Sequence, residues 1–474
     1  MMDFSDLGSC ARVFRYFEEF SAIPHGSGNT DMIAEYLVEF AKKRGLVCHR
    51  DEANNVVIKK PATEGYSERP TVIIQGHHDM VAEKAPDCKK DMEREGLDLY
   101  RDGDLLRAKD TTLGGDDGIA LAYALALLDS DDIPHPALEC VFTSDEEIGL
   151  LGAGALDGEL LDGRLLINID SDMEGIFTVG CAGGMRSDVT RKFDLIPCDI
   201  RNCYELSLSG FKGGHSGVEI DRGRENGVKS LFKLLGELNG VRLSLAVGGN
   251  ADNAIPRGCK AVIFADNDIT EAVAEAFAKL YAEIGSIEPD ATYTLLPAKA
   301  TDALCKEDSD EAIAIINSLP SGVIAMSEDI PGLVQTSLNL GILRLEGGEL
   351  SASFSVRSAK GNEKRALGDR LAQIANAHGC NYSERGAYPA WEYRKDSHLR
   401  DVMKEVYIRS YGKEPEIVTI HAGLECGLFS EKIEGLDCVS IGPDNFDIHT
   451  TEERLSLSSS RRVWEFLLEV LKSV

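Results

Sequence analysis

The chain has 474 residues, too many for one hydrophobic core, so two domains are the default expectation and three stay open. Its 43% hydrophobic and 27% charged content is that of a globular protein, and a formal charge of -30 argues against nucleic-acid and anionic-membrane partners. No apolar run approaches the ~20 residues a bilayer requires, and the N-terminus has neither basic flank nor hydrophobic segment, so a cytoplasmic protein is expected. The 12 cysteines are scattered without a C-x-x-C pair and read as reduced, mostly buried thiols.

In chain order, residues 11 to 44 read as helix: Ile33, Tyr36, Leu37, Phe40 and Ala41 recur at helical spacing, Asn29 or Thr30 can cap the start, and Gly45 can end it. Val56-Val57-Ile58 and Thr71-Val72-Ile73-Ile74 are β-branched runs and read as strands, the second leading into Gln75-Gly76-His77-His78-Asp79. A polar stretch from Glu83 to Asp110 reads as a surface excursion that ends in Leu113-Gly114-Gly115-Asp116-Asp117-Gly118. The small, apolar run Ile119 to Leu128 then predicts a buried helix. Leu138 to Phe142 reads as a strand running into Asp145-Glu146-Glu147, and Leu165 to Ile169 as another ending on Asp170. Strands alternating with helices, with polar residues at the strand ends, predict an α/β fold: a mainly parallel sheet sandwiched by helices.

Near Gly183-Gly184 the pattern changes. Tyr204 to Leu208, Val241 to Val247, Lys260 to Ala265 and Ala291 to Leu296 read as strands, with helices at Asn226 to Leu238 and Thr270 to Ile284. A second α-β-β-α-β set follows between Asp308 and Glu384. From Pro389 the first style returns, with a helix at Ser397 to Tyr411, strands at Glu416 to Ile420 and Asp437 to Ile441, and a final helix at Ser460 to Leu471. The expectation is a catalytic domain built from residues 1–184 and 388–474, with an inserted α+β lid domain at 185–387.

Acidic side chains at strand ends sit where open α/β sheets place their ligand crevices. Asp145-Glu146-Glu147 alone is an ordinary solvated turn, but four strand ends line up: His77-x-Asp79, Asp116, Glu146-Glu147 and Asp170, with His449 as a fifth candidate. Packed carboxylates repel, and a divalent metal offsets that repulsion while leaving one carboxylate free as a base. Histidine with carboxylate suits zinc, with Mn²⁺ or Co²⁺ able to substitute. Five ligands exceed the need of one tetrahedral ion and fit two ions about 3.5–4 Å apart if one carboxylate bridges. A residue two after a ligating histidine can fix its tautomer, a role open to Asp79. His78 competes with His77, and Asp117 shadows Asp116.

The strings Gly76-His77-His78-Asp79-Met80-Val81, Thr112 to Ile119, Asp145-Glu146-Glu147-Ile148-Gly149, Asn168-Ile169-Asp170-Ser171, Gly213-Gly214-His215-Ser216-Gly217, Asn253-Ala254-Ile255-Pro256-Arg257 and Ile420-His421-Ala422-Gly423-Leu424-Glu425 carry a resemblance across nearly the whole chain. It resembles the dinuclear zinc metallopeptidases and deacylases that include aminoacylase, tripeptidase T and the aminoacyl-histidine dipeptidases, with the last branch matching best. The resemblance implies two Zn²⁺ per chain, His77 and Asp170 on one metal, Glu147 and His449 on the other, and Asp116 bridging. It implies Asp79 as the orienting acid, Glu146 as general base to a metal-activated water, and a cis peptide after Asp116. It makes His215, on the inserted domain, a donor to the substrate carbonyl oxygen, with closure over the substrate before turnover. Asn253 and Arg257 would hold the substrate carboxylate, since a guanidinium forks onto two oxygens. His421 and Glu425 would line the pocket, Glu425 facing the free amine.

The expected activity is hydrolysis of unblocked dipeptides, Xaa-His type preferred, by a peptide-binding enzyme for which a homodimer stays open. The alternatives are a deacylase or aminopeptidase on N-acyl amino acids or short peptides, and a non-catalytic peptide-binding relative. The last would ordinarily have lost Glu146 or a ligand, and neither is missing.

Overall fold

The computed structural model describes residues 2–328 and 330–474. The chain divides into two compact units: the chain through Gly180 with Tyr393–Thr419 and Leu424–Val474, and Cys181–Glu392 with Ile420–Gly423.

The first unit holds an eight-stranded sheet in the order Val47–Arg50, Val56–Lys60, Leu138–Thr143, Val72–His77, Leu165–Asn168, Asp437–Ser440, Ile176–Cys181, Glu416–Ile420. The four strands from Leu138–Thr143 to Asp437–Ser440 are mutually parallel, and the flanking Val47–Arg50 and Val56–Lys60 strands pair antiparallel. Strands buried on both faces need near-continuous apolar runs, and Val72–His77 and Leu138–Thr143 are buried at every position. The helix Gly115–Leu128 is buried from Asp117 to its end, as its all-round apolar sequence requires. Its Gly118 admits the rings of Phe17 and Phe20, and its Tyr123 stacks on Trp464 of the C-terminal helix Leu457–Ser473 at 5.7 Å between centroids. The last segment of the chain thereby closes the core begun by the first.

Two local expectations need correction. Residues 11 to 44 form two helices, Ala11–Ser21 and Asp31–Arg44, because Pro24, Gly26 and Gly28 break the run. The break is used: the Ser27 hydroxyl and the Gly28 N–H bond Asp79 and Asp145, at 2.8 and 2.7 Å. The excursion from Glu83 to Asp110 contains a hairpin, Leu99–Asp102 with Leu105–Ala108, that joins Arg454–Ser456 and Asn445–Phe446 in a four-stranded sheet. That small sheet carries the loop with His449.

The second unit is built on a nine-stranded sheet whose assigned pairings are all antiparallel. The strand Glu349–Ser358 alternates buried and half-buried residues, with Leu350, Ala352, Phe354 and Val356 turned into a core shared with the helices Gly227–Gly236, Lys306–Ser318 and Gly361–Ala377. Among the described residues no helix is long and apolar enough to cross a membrane.

Candidate active site

Because the central strands of the first unit run parallel, their C-terminal ends share one edge of the sheet. His77 ends its strand there, Glu146 and Glu147 follow Thr143, and Asp170 follows Asn168. Four non-glycine residues in this region take left-handed backbone: Asp145 and Leu150 around the Glu146-Glu147 turn, and Asp447 and His449 in the facing loop. Such conformations persist where the surrounding structure over-determines them, and they cluster at functional sites.

His77 is 1% exposed. Its Nε2 lies 3.0 Å from Asp116 Oδ1 and 3.9 Å from Asp170 Oδ1. Its Nδ1 lies 3.0 Å from the Asp79 carbonyl oxygen and 3.4 Å from Asp79 Oδ1, so Asp79 addresses the far nitrogen through main chain and side chain together. His449 Nε2 lies 3.0 Å from Asp116 Oδ2 and 2.8 Å from Glu147 Oε1. Asp116 therefore offers one oxygen to each histidine. Ligand atoms of His77, Asp116 and Asp170 fall within 4.8 Å of one another, as do those of Asp116, Glu147 and His449, and those of His77, Glu146 and Glu147.

The doubled residues separate by direction. His78 is buried with neither ring nitrogen bonded, and burial holds it neutral, its pKa pushed down to about 3. Asp117, across a cis peptide from Asp116, turns inward and accepts the His77 N–H at 3.2 Å. Asp79 accepts from Ser27 Oγ, Glu146 N and Glu147 N, tying the strand of His77 to the acidic turn. Burial works against its charge, but the His77 ring and these donors hold its carboxyl below the usual range. Burial pushes Glu146 up to about 8, His77 opposes that, and the Glu425, Glu147 and Asp116 carboxylates reinforce it. Asp170 is driven well above the carboxylate range by burial and by Asp117 and Asp116. Two imidazoles and four crowded, half-buried carboxylates form a cluster short of positive charge, and two oxygen- and nitrogen-ligated divalent ions fit it.

Glu425 belongs to the same unit and is fully buried. Its Oε2 accepts from Gln75 Nε2 at 2.6 Å and Thr143 Oγ1 at 2.7 Å, while Oε1 has no partner. Burial pushes its pKa up to about 7. Gln75 also accepts from Asn168 at 2.7 Å, so the amide that holds Glu425 is itself fixed by a polar residue of the next strand.

The remaining candidates lie in the second unit. The Gly214–His215 strand pairs with Ala254–Ile255, and Ser216 N donates to the Asn253 carbonyl at 2.8 Å, so the two sequence strings are neighbours. Gly217 N and Val218 N donate to His215 Nδ1 at 3.1 and 3.3 Å. The ring proton is thus confined to Nε2, and burial followed by the Arg357 charge lowers the pKa, leaving a neutral N–H donor. Arg257 is exposed and borders a cavity of about 780 Å³ with His215, Gly249 and Lys260; Asn253 is exposed beside it. His421 is buried, with Nε2 2.7 Å from Ser337 Oγ and Nδ1 unpartnered, its pKa lowered to about 4 by burial and by Arg357.

Arg357 escaped sequence reasoning. Its Nη1 donates to the Tyr388 hydroxyl at 3.2 Å, while its Nε is buried without a partner, as is the Ser216 hydroxyl. The signal was available: Ser351, Ser353 and Ser355 line one face of the Glu349–Ser358 strand, and Arg357 is the one charge on it after the end residue.

Residues 73–473 match the profile of the peptidase family M20/M25/M40. The chain is 36% identical over 470 residues to the cytosol non-specific dipeptidase of Escherichia coli K12, covering 97% of this chain and 96% of that protein. It superposes on the crystal structure of an aminoacylhistidine dipeptidase from Vibrio alginolyticus with a TM-score of 0.93 at 34% identity, over 100% of this chain and 98% of that one. The aminopeptidase PepT of Bacillus cereus shares the fold at a TM-score of 0.56 and 15% identity, over 98% of each chain.

Proposed function

We propose that this chain, which belongs to the peptidase family M20/M25/M40 and is a metal-dependent dipeptidase, hydrolyses unblocked dipeptides in the cytoplasm with Xaa-His substrates preferred. The observation that carries the site assignment is the sharing of Asp116 between two ligand sets, one completed by His77 and Asp170 and the other by Glu147 and His449. These five residues would hold two divalent ions, zinc in the first instance. When bound, the ions supply Lewis acidity toward the scissile carbonyl and acidify the attacking water.

The chain's own groups supply the proton traffic. Glu146 stands outside the two ligand sets that share Asp116, and its burial favours taking up a proton. It is the proposed base that accepts the water's proton and returns it to the leaving amine. Asp79 fixes the His77 ring and, through the N–H groups of Glu146 and Glu147, the position of the base. His215, as a neutral Nε2–H donor, is suited to an oxyanion. The unpartnered Oε1 of Glu425 is an acceptor for the substrate ammonium. For the substrate carboxylate the proposed cations are Arg257, with Asn253, and Arg357, with His421 beside it.

The test pairs metal analysis with hydrolysis of Gly-His, Leu-Gly, Leu-Gly-Gly and an N-acetyl amino acid. Two ions per chain and cleavage of the free dipeptides, Gly-His fastest, are expected. Glu146→Ala should lower kcat by about 10²–10⁴-fold while keeping both ions; loss of an ion instead would make Glu146 a ligand. Cleavage of the acetylated substrate alone would make the chain a deacylase.

A further inference from the structure

We infer that Glu453 is a positioning residue that sets the bridging geometry of Asp116, an inference that rests on the bridging assignment above. Glu453 is 3% exposed, and its hydrogen-bonding capacity is spent on main chain. Oε2 accepts from Leu113 N at 2.8 Å and Gly114 N at 3.1 Å, and Oε1 from Gly115 N at 2.8 Å and Asp116 N at 3.4 Å. Four consecutive N–H groups converge on one carboxylate. Leu113 and Gly114 precede the helix Gly115–Leu128, and Asp116 and Asp117 depart from helical φ/ψ within its first turn, so these N–H groups depend on a partner from outside the helix.

That convergence needs a backbone which side chains would obstruct. Gly114 has φ +67°, and a Cβ on it would meet Met80 Sδ at 2.8 Å. A Cβ on Gly115 would press on the Asn445 amide. Asn445, oriented to satisfy both its ends, accepts from Asp116 N at 3.1 Å and donates to the Arg454 carbonyl at 3.2 Å. The loop is clamped from one side, and Asp116 leaves it with one oxygen toward each histidine.

The clamp comes from the segment that bears a ligand. Glu453 lies four residues after His449, between the strands Asn445–Phe446 and Arg454–Ser456. One carboxylate therefore fixes the separation of Asp116 from His449, which the second ion requires, and the direction of Asp116 toward His77, which the first requires. Groups that hold a ligand from behind govern metal affinity even though they touch no metal.

The experiment is chelator competition on purified protein, read as ions retained per chain, with thermal melting of the metal-free proteins alongside. In Glu453→Gln the amide nitrogen faces donors it cannot accept from, so the chelator concentration that removes half the metal should fall by about 10–100-fold. The metal-free melting point should move little by comparison. Glu453→Asp, which keeps both acceptor oxygens, should recover part of the affinity. Unchanged metal affinity in both Glu453→Gln and Glu453→Ala overturns the inference, as does a fall in metal-free melting with affinity intact. A wild-type chain that binds fewer than two ions overturns the bridging assignment and this inference with it, so the two failures are told apart by the wild-type result.

Discussion

Arg257 and Arg357 offer a substrate carboxylate two guanidinium groups in different states of solvation. Arg257 is exposed, and a contact made in water contributes little because both partners exchange it for hydration. Arg357 already has a buried Nε without an acceptor, so a carboxylate arriving there gains a charge-assisted bond without a further desolvation cost on the protein side. Arg357→Ala should therefore raise KM for dipeptides by roughly 10–100-fold, about 1.5–3 kcal/mol, and Arg257→Ala by a few-fold. Steady-state kinetics on Gly-His decides between them; the reverse order would move the carboxylate site to Arg257. At this scale the chemistry was legible as residue types in strings, because only a few side chains, His, Asp, Glu and Cys, ligate a divalent ion whatever surrounds them. Direction was not legible. The two-residue spacing to Asp79 favours His77 over His78, but strand alternation gives no second local signal, since it is lost where a strand gives way to a loop.

Between elements, the site depends on how closely the strand Val72–His77 approaches the helix Gly115–Leu128. Gly76 is the point of contact: a Cβ there would overlap Ala120 Cβ and the Asp117 carboxylate, the group that accepts the His77 N–H. Gly76→Ala should cost about 1–3 kcal/mol by overpacking and weaken metal retention, because the displaced atoms support both His77 and Asp116. Thermal melting with metal analysis checks both; a variant as stable and as metal-replete as wild type would mean that the helix can retreat freely. The long apolar helix and the parallel strands were legible because burial on all sides writes itself as unbroken hydrophobicity. The hairpin at Leu99–Ala108 was not. Its strands are only four residues each, and the second pairs with Arg454–Ser456, more than three hundred residues away.

For the molecule as a whole, metal is expected to be part of the stability of the first unit. Its five candidate ligands come from five separate stretches between His77 and His449, and an ion that binds only the folded arrangement stabilises by mass action. Stripping with chelator should lower the melting temperature of that unit by on the order of 5–10 °C, for an ion present at ~100 times its dissociation constant. Calorimetry with metal removed and then restored would measure it, and an unchanged transition would mean the cluster is preformed without metal. By itself the sequence determined most of the helices and the buried strands, the mainly parallel α/β class and the membership in a dipeptidase family, because periodicity, apolar run length and ungapped motifs are local properties of the chain. Only the tertiary structure decided which of two adjacent histidines meets Asp116, that Glu453 grips the loop of Asp116, and that Arg357 stands beside His421. Those facts depend on which distant segments become neighbours, and a buried hydrogen bond between residues hundreds of positions apart leaves no periodic trace in either one.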